Sequence, residues 1–515
     1  MKNCHSRYGL LLLALSIVEI IASSGICQAA ARSEWVYLDS TGKLAYRSLP
    51  TGDHIMDFSY AGYGGGGVAI PDVEAKTTLR PGGDDDAAVI QKAIDEVSEM
   101  PLIDGHRGAV ELTAGTFECA RPLTIAASGV VLRGNEGTIL RLTGTPHLAI
   151  GVKGKEAISA DGRPATITDN YIPSGTNVFH VESATGFKAG DTIQITRPVT
   201  TAWVGFMGMG SMVRNSKDEH WLSGKLETTR VIREISGDRI TVDVPLSDNY
   251  DARYLNPPGS TVVKVKISGA VSQVGIEHLR IVSPPQAIAI TDPQFKAISF
   301  DDGVDCWARD LEIVDTIDSM HIGAGSSRVT IQRVNITHTV ATKGAAKPGD
   351  FGDNGTQALF DRCSGRGDNL FYFATFGRTQ GPNVVLNCKF EGNGHIQPHM
   401  RWSTGLLVDS CQVPASGIDL MNRGIMGSGH GWTMGWGVAW NCVAKTFLIQ
   451  QPPGSMNWAI GCRGAAETEA MPGGNGPKLP NGIYDSQNAP VTPASLYLEQ
   501  LRERLGVAAL KNVGY

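Results

Sequence analysis

The chain has 515 residues, 42% of them hydrophobic, and a formal net charge of −6. That balance offers no basic surface for nucleic acid, and beyond the N-terminal stretch no uninterrupted apolar run is long enough for a transmembrane helix. The length suits one large domain with insertions.

Lys2 and Arg7 precede an apolar stretch over residues 10–21, interrupted by Glu19, and small residues follow at Ala29, Ala30 and Ala31. This reads as a secretory signal peptide over residues 1–31, cut after Ala29 or Ala31, so the mature protein is expected in the periplasm or outside the cell. Residues 32–104 form an N-terminal segment containing the run Gly64-Gly65-Gly66-Gly67. Within it, Gly82-Gly83-Asp84-Asp85-Asp86 stands ahead of Ile90, Ala93, Ile94 and Val97 at helical spacing. Aspartates suit a helix N-terminus, so a helix over residues 85–100 is expected to cover the open end of a solenoid.

Residues 108–142 read GAVELTAGTFECARPLTIAASGVVLRGNEGTILRL, short strands alternating with glycine turns. Over residues 157–265 this rhythm breaks, and phrases such as FHVESATGFKAGDTIQITRP predict a β-rich insertion. Trp203, Met207, Met209, Met212 and Trp221 lie inside it, as a satellite core or as one wall of a groove.

After the insertion one phrase recurs. Leu279, Leu311, Val334, Cys363, Cys388, Cys411, Cys442 and Cys462 close GIEHL, WARDL, TIQRV, LFDRC, VVLNC, LVDSC, VAWNC and WAIGC, at intervals of 32, 23, 29, 25, 23, 31 and 20 residues. An apolar anchor recurring at this period marks a stacking unit. The units are strand-rich and lack an amphipathic helical run, which excludes helical solenoids and predicts an all-β fold, a parallel β-helix over residues 105–465. Equivalent residues of successive coils then stand about 4.8 Å apart. Five of the seven cysteines outside the signal segment are anchors, so they are expected as an inward row of free thiols rather than as disulfides. A C-terminal tail, residues 466–515, ends in a helix marked by Leu496, Leu498, Leu501 and Leu505.

The stretch GGDDDAAVIQKAIDEV together with the first coils resembles the N-terminal segment of the pectate lyase superfamily. The resemblance implies a right-handed parallel β-helix and a carbohydrate ligand. It does not fix a reaction, because that fold carries lyases, hydrolases, epimerases and phage tailspikes.

Counting back from the anchors aligns the coils. Ten residues before Cys363, Cys388, Cys411 and Cys442 stand Asp353, Arg378, Arg401 and Trp432, and twelve before the last two stand His399 and His430. On strands, residues two apart share a face, so these groups are expected side by side on neighbouring coils. His399 and Arg401, and His430 and Trp432, lie in two glycine-bearing strings, 392–402 and 421–432, which also hold His395, Trp402, Asn422 and Arg423. A single histidine of this kind is usually a structural residue. Two histidines and three arginines on consecutive coils of an acidic protein point instead to a site for an anion.

β-Elimination on a uronic acid polymer needs cations on the carboxylate, a base at C5 and a proton donor for the leaving oxygen. Arg378, Arg401 and Arg423 are candidates for the cations, and His399 and His430 for base and acid. His395, Asn422, Trp402, Trp432 and Trp436 are candidate substrate contacts. The expected function is therefore a polysaccharide lyase, acting as a monomer on an anionic polysaccharide, with no nucleic-acid partner.

A polygalacturonase-type hydrolase is the alternative, suggested by Asp301-Asp302 and Gly429-His430-Gly431. That type's Asn-Thr-Asp and Arg-Ile-Lys strings are absent, as is the Trp-Ile-Asp-His string typical of pectate lyases. A non-catalytic carbohydrate-binding β-helix is a third reading. Asp350 and Asp353 are the candidate ligands for a Ca²⁺ ion, which many β-helix lyases use.

Overall fold

A computed structural model describes residues 31–472 and 476–515. The signal-peptide reading falls almost wholly on residues 1–30, outside the described residues. No helix among the described residues is long and apolar enough to cross a membrane.

The fold is a right-handed parallel β-helix whose sheet system joins 27 strands. Each coil contributes to three strand stacks. The first runs through Gly108–Leu112, Val130–Gly134 and Gly275–Val282 to Ser403–Asp409, Val438–Trp440 and Trp458–Ile460. A corner leads to the second, and a longer turn to the third, which includes Lys296–Asp301, Met320–Ile322, Gly349–Asp353, Phe371–Thr375 and His395–Ile396.

The predicted anchors form one ladder. Leu279 pairs with Leu311 and Leu311 with Val334, and the register of the flanking pairs carries the row through Cys363, Cys388, Cys411, Cys442 and Cys462. All seven described cysteines are free and buried, and burial pushes the thiols of Cys363, Cys388, Cys411 and Cys462 well above their ordinary pKa. Immediately before each anchor stands a residue in left-handed backbone: His278, Asp310, Arg333, Arg362, Asn387, Ser410 and Asn441, with φ between 50° and 57°, and Gly461 at 68°. This residue turns the corner between the first and second stacks. A parallel interior row, Ile150, Ile298, Met320, Phe351, Phe373, Ile396, Ile418 and Phe447, fills the third stack's inner face.

The helix Ala87–Ser98 packs Ala87, Ile90, Ala93, Ile94 and Val97 against the first coils. Asp86 precedes it without capping it through its side chain. Instead its carboxylate accepts from the backbone N–H groups of Gly82 (2.9 Å) and Glu118 (3.0 Å), tying the helix to a coil. Strands between Ala157–Ala160 and Thr261–Ser268 make a separate antiparallel sheet, seven-stranded in all. Its core contains Trp203, Met207, Met209, Met212 and Trp221 and continues into Trp402 and Trp432 of the solenoid.

At the C-terminus, Leu496–Leu505 and Val507–Asn512 are helices laid along the first stack. The corner side chains hold them. Asn441 Nδ2 donates to the carbonyls of Val491, Pro493 and Ala494 at 2.9, 3.2 and 3.0 Å, and Asn387 Nδ2 donates to the Tyr515 hydroxyl at 2.7 Å. Buried Asp409 accepts from Ser495 Oγ (2.7 Å) and from the Tyr497 N–H (2.9 Å), at the start of the first of these helices.

Asn441 therefore has two separable tasks, to adopt φ 50° and to clamp the tail. Asn441→Ala loses both and is expected to cost about 2–3 kcal/mol, whereas Asn441→Gly keeps the backbone permitted and costs about 1 kcal/mol less. Urea midpoints of the two variants measure the difference, and equal losses would contradict strain at the corner.

Candidate functional site

The outer face of the third stack carries a groove, and its functional groups sit where the chain leaves the strands. Phe376, just past Phe371–Thr375, lies at the centre. His321 meets it edge-on with ring centroids 5.5 Å apart, and His399, one coil further on, stacks on it at 5.5 Å and 27°. His399 is in turn 4.6 Å from His430. Arg423 lies 5.2 Å over the ring of Phe371 and donates from Nη1 to the carbonyl of His399 at 2.9 Å. Beside this row a cavity of about 510 Å³ is lined by His321, Phe376, Arg378 and Arg401 from the solenoid and by His220 and Trp221 from the insertion.

Burial lowers the pKa of His399 to about 4, with the charge of Arg423 adding to it. His430 falls to about 3, first by burial and then by Arg423, His399, Arg401 and Arg214. Both imidazoles are thus neutral at neutral pH, with a lone pair free to accept a proton. His321 is lowered by burial, against the opposing charges of Asp301 and Asp318. Burial brings Arg423 to about 10, opposed by Asp419, so it stays charged. Only 6% of Arg423 is exposed, its Nε has no partner, and among the described residues no carboxylate stands within ion-pair distance. Asp419 accepts instead from His395 Nδ1 (2.7 Å) and Gln397 Nε2 (2.6 Å). A buried cation without a counter-ion is costly, by several kcal/mol, and an anionic ligand would relieve that cost.

Of the residues expected at the site, His399, Arg401, Arg423 and His430 come together, with His395 and Arg378 at the edges. Arg401 donates to the carbonyl and hydroxyl of Ser428, and Arg378 to the carbonyls of Ser223 and Lys225 in the insertion. The glycines of the 424–431 loop let it close on His430. At Gly427, with φ 59°, an added Cβ would lie 2.0 Å from His430 Nε2.

Other expected contacts are elsewhere. Trp402, Trp432 and Trp436 are 2%, 3% and 4% exposed and do not face the groove. Trp402 and Trp436 donate to Asp248, and Trp432 to the carbonyl of Met207, all in the insertion. The cause is local: Arg401 and Trp402 are successive left-handed residues, φ 49° and 57°, so strand alternation fails and Trp402 swings away from the groove. Asn422 is buried, and its carbonyl oxygen accepts from Gly424 N–H.

Asp350 and Asp353, the expected calcium ligands, stand in different surroundings. Asp350 is paired with His338 at 2.7 Å, while Asp353 points inward beside Phe351, where burial raises its pKa to about 8 and leaves it protonated at neutral pH. No group of three or more His, Cys, Asp or Glu among the described residues is placed to hold a metal. Asp301 and Asp302 diverge as well: Asp301 accepts from Ser299 Oγ, whereas Asp302, at φ 55°, accepts from the Glu156 N–H.

Sequence reasoning did not single out His321, Phe371, Phe376, Arg214 or His220. Phe376 stands twelve residues before Cys388, the same offset that marked His399 and His430, so that signal was present. The insertion residues carry no such mark.

No family model matches this chain, and no curated protein matches it. Solved structures similar to it include the tailspike protein gp49 from Pseudomonas phage LKA1, at 14% identity over 75% of this chain and 64% of that one, with a TM-score of 0.42. A tailspike protein of E. coli bacteriophage HK620, solved with a pentasaccharide, is 10% identical over 84% of this chain and 61% of its own, TM-score 0.39. The A-module of the mannuronan C-5 epimerase AlgE6 of Azotobacter vinelandii is 10% identical over 75% of this chain and 71% of its own, TM-score 0.33. The chain thus spans less than two thirds of the length of both tailspikes, and its likeness to the pectate lyase superfamily remains a resemblance of sequence segment and architecture.

Two titrations act on stability in opposite directions. His399 and His430 bind protons more weakly folded than unfolded, so stability is lost as pH falls from 6.5 toward about 4. Asp353 binds its proton more tightly folded, so its contribution is lost as pH rises from 3.8 through about 8. Asp353→Asn is therefore expected to flatten the decline of the urea midpoint between about pH 7 and about 8, above the range in which the histidines and the buried Asp409, raised to about 7 by burial, act. An unchanged slope would place the titrating group elsewhere.

Proposed function

We propose that the protein is a carbohydrate-active β-helix enzyme, a lyase that cleaves a uronic acid-containing polysaccharide by β-elimination. The observation that carries this reading is Arg423, charged, buried and without a carboxylate partner, next to two neutral imidazoles whose rings are 4.6 Å apart. A uronate carboxylate on Arg423 would have its charge balanced, which acidifies the C5 proton. One of His399 and His430 takes that proton, the C5–H electrons form the C4–C5 double bond, and the C4–oxygen bond breaks. The same carboxylate cancels the field of Arg423 on the imidazoles, so substrate binding itself strengthens the base. Once protonated, the same imidazole can pass its proton to the leaving oxygen.

Incubation with polyuronates, glycosaminoglycans and neutral glycans, read by the ultraviolet absorbance of an unsaturated product and by reducing ends, tests the chemistry. Both signals should rise together on a polyuronate. Reducing ends alone would move the chemistry to hydrolysis, with Asp301 and Asp318 beside His321 as the carboxylates to examine, and neither signal would leave a binding protein. On the responsive substrate, Arg423→Ala should lower kcat/KM about a hundredfold or more, by analogy with loss of one oxyanion donor, and His430→Ala should lower kcat with folding preserved. Near-normal turnover in both variants overturns the site.

A further inference from the structure

A second cavity, of about 280 Å³, opens between the insertion and the solenoid and shares no lining residue with the groove cavity. Its size is close to the lower end of small-molecule sites, roughly 300 Å³. Trp203, Trp402 and Trp436 contribute to its walls, and Phe206 and Tyr254, stacked with centroids 4.0 Å apart and planes 16° apart, belong to its lining as half-buried rings. Arg197 is 2% exposed, with its guanidinium 4.2 Å over the ring of Trp203. Its Nε donates to the carbonyl of Asn249 at 3.0 Å and lies 3.6 Å from Asp248, while Nη1 is buried with no partner. Ser455 lines the same cavity, and its Oγ is also buried with no partner. Buried polar groups are normally hydrogen-bonded, so two unpaired ones in one aromatic-walled cavity mark a place where a ligand supplies the partners.

We propose that this cavity binds one neutral pyranose residue, as a saccharide site separate from the groove. A pyranose presents C–H faces that pack on aromatic rings and hydroxyl groups that accept from Arg197 Nη1 and exchange hydrogen bonds with Ser455 Oγ. Charge argues against an acidic sugar. The cations Arg197 and Arg253 are matched by Asp248, 3.6 Å from the first, and by Asp251, which pairs with the second, and the buried carboxylate of Asp53 stands in the same lining. No unmatched positive charge remains for a carboxylate, in contrast to Arg423.

Calorimetric titration of the full chain with glucose, galactose, mannose, N-acetylglucosamine, glucuronate and adenosine tests this. At least one neutral sugar should saturate in the millimolar range, and in Arg423→Ala, whose groove has lost its unmatched cation, glucuronate should bind about tenfold more weakly than that sugar or not at all. Tyr254→Ala and Ser455→Ala should each weaken the sugar about tenfold, and Arg423→Ala, in the groove, should leave this binding unchanged. The proposal is overturned if no neutral sugar titrates, if in Arg423→Ala glucuronate or adenosine binds more tightly than every neutral sugar, or if Tyr254→Ala binds as the parent does. Loss of binding in Arg423→Ala would make the two cavities one site and overturn it equally.

Discussion

From Leu279 to Cys462, each of eight successive coils turns its first corner on a single residue in left-handed backbone, and the rest of the architecture depends on that bend. Seven of the eight corner residues are not glycine, and each carries a backbone penalty of about 1–2 kcal/mol. The penalty is tolerated because the residue that follows is locked from inside. The anchor's side chain enters the core, and where it is cysteine its thiol donates to a carbonyl of the coil before: Ile331 at 3.4 Å from Cys363, Phe360 at 3.6 Å from Cys388, Val385 at 3.3 Å from Cys411, Val408 at 3.2 Å from Cys442 and Ala439 at 3.4 Å from Cys462. A small, weakly donating side chain fits a tight corner where a bulkier one would press on its neighbours. Register follows from this arrangement, since a slip of one residue would carry every inward side chain to the surface.

A fixed register frees the outer face to vary. The interior row from Ile150 to Phe447 keeps its apolar character, while the alternating outward positions run through Ser299, His321, Gly352 and Ala374 without a common chemistry. The reactive groups gather just beyond, at Phe376, His399, Arg401 and His430, where the chain has left the strand and is bound to the next coil only by single backbone hydrogen bonds such as Arg401 N–H to the His430 carbonyl at 3.1 Å. Function thus occupies the turns, and the strands beneath set the spacing between coils.

This division explains what could be read from the sequence. The anchor ladder was legible because one residue per coil meets the same environment, and offsets from it found His399 and His430 and would have found Phe376. Asp353 was misread although parity was informative: Phe351 is two residues away and inward, so a carboxylate at 353 on the same strand had to be inward too. Trp402 could not be placed in this way, because two successive left-handed residues at Arg401 and Trp402 break the alternation, and nothing in the local string announces them. Arg214 and His220 escaped for a different reason. They reach the groove from a strand pair and turn almost two hundred residues earlier in the chain, through packing that no repeat encodes.

That packing makes the insertion a brace for the site. Trp221 donates to the carbonyl of Trp432 at 3.1 Å and Trp432 to that of Met207 at 3.0 Å, so indoles of insertion and solenoid are bonded across the seam in both directions. Asp248 accepts from Trp402 and Trp436 at 2.8 and 3.2 Å, which ties two neighbouring coils to one carboxylate. The rings of Trp203, Trp221 and Trp402 lie within 5.1 to 5.9 Å of one another, with Trp221 toward the groove cavity and the other two toward the second cavity. One aromatic wall therefore faces both spaces. Arg214, reaching the carbonyl of Gly427, and Arg378, reaching back to Ser223, hold the loop and the wall together around His430. A charged Arg423 can stay buried without a counter-ion only while this enclosure keeps its shape, because a loosened wall would admit water and remove both the cost of the cation and its pull on a ligand.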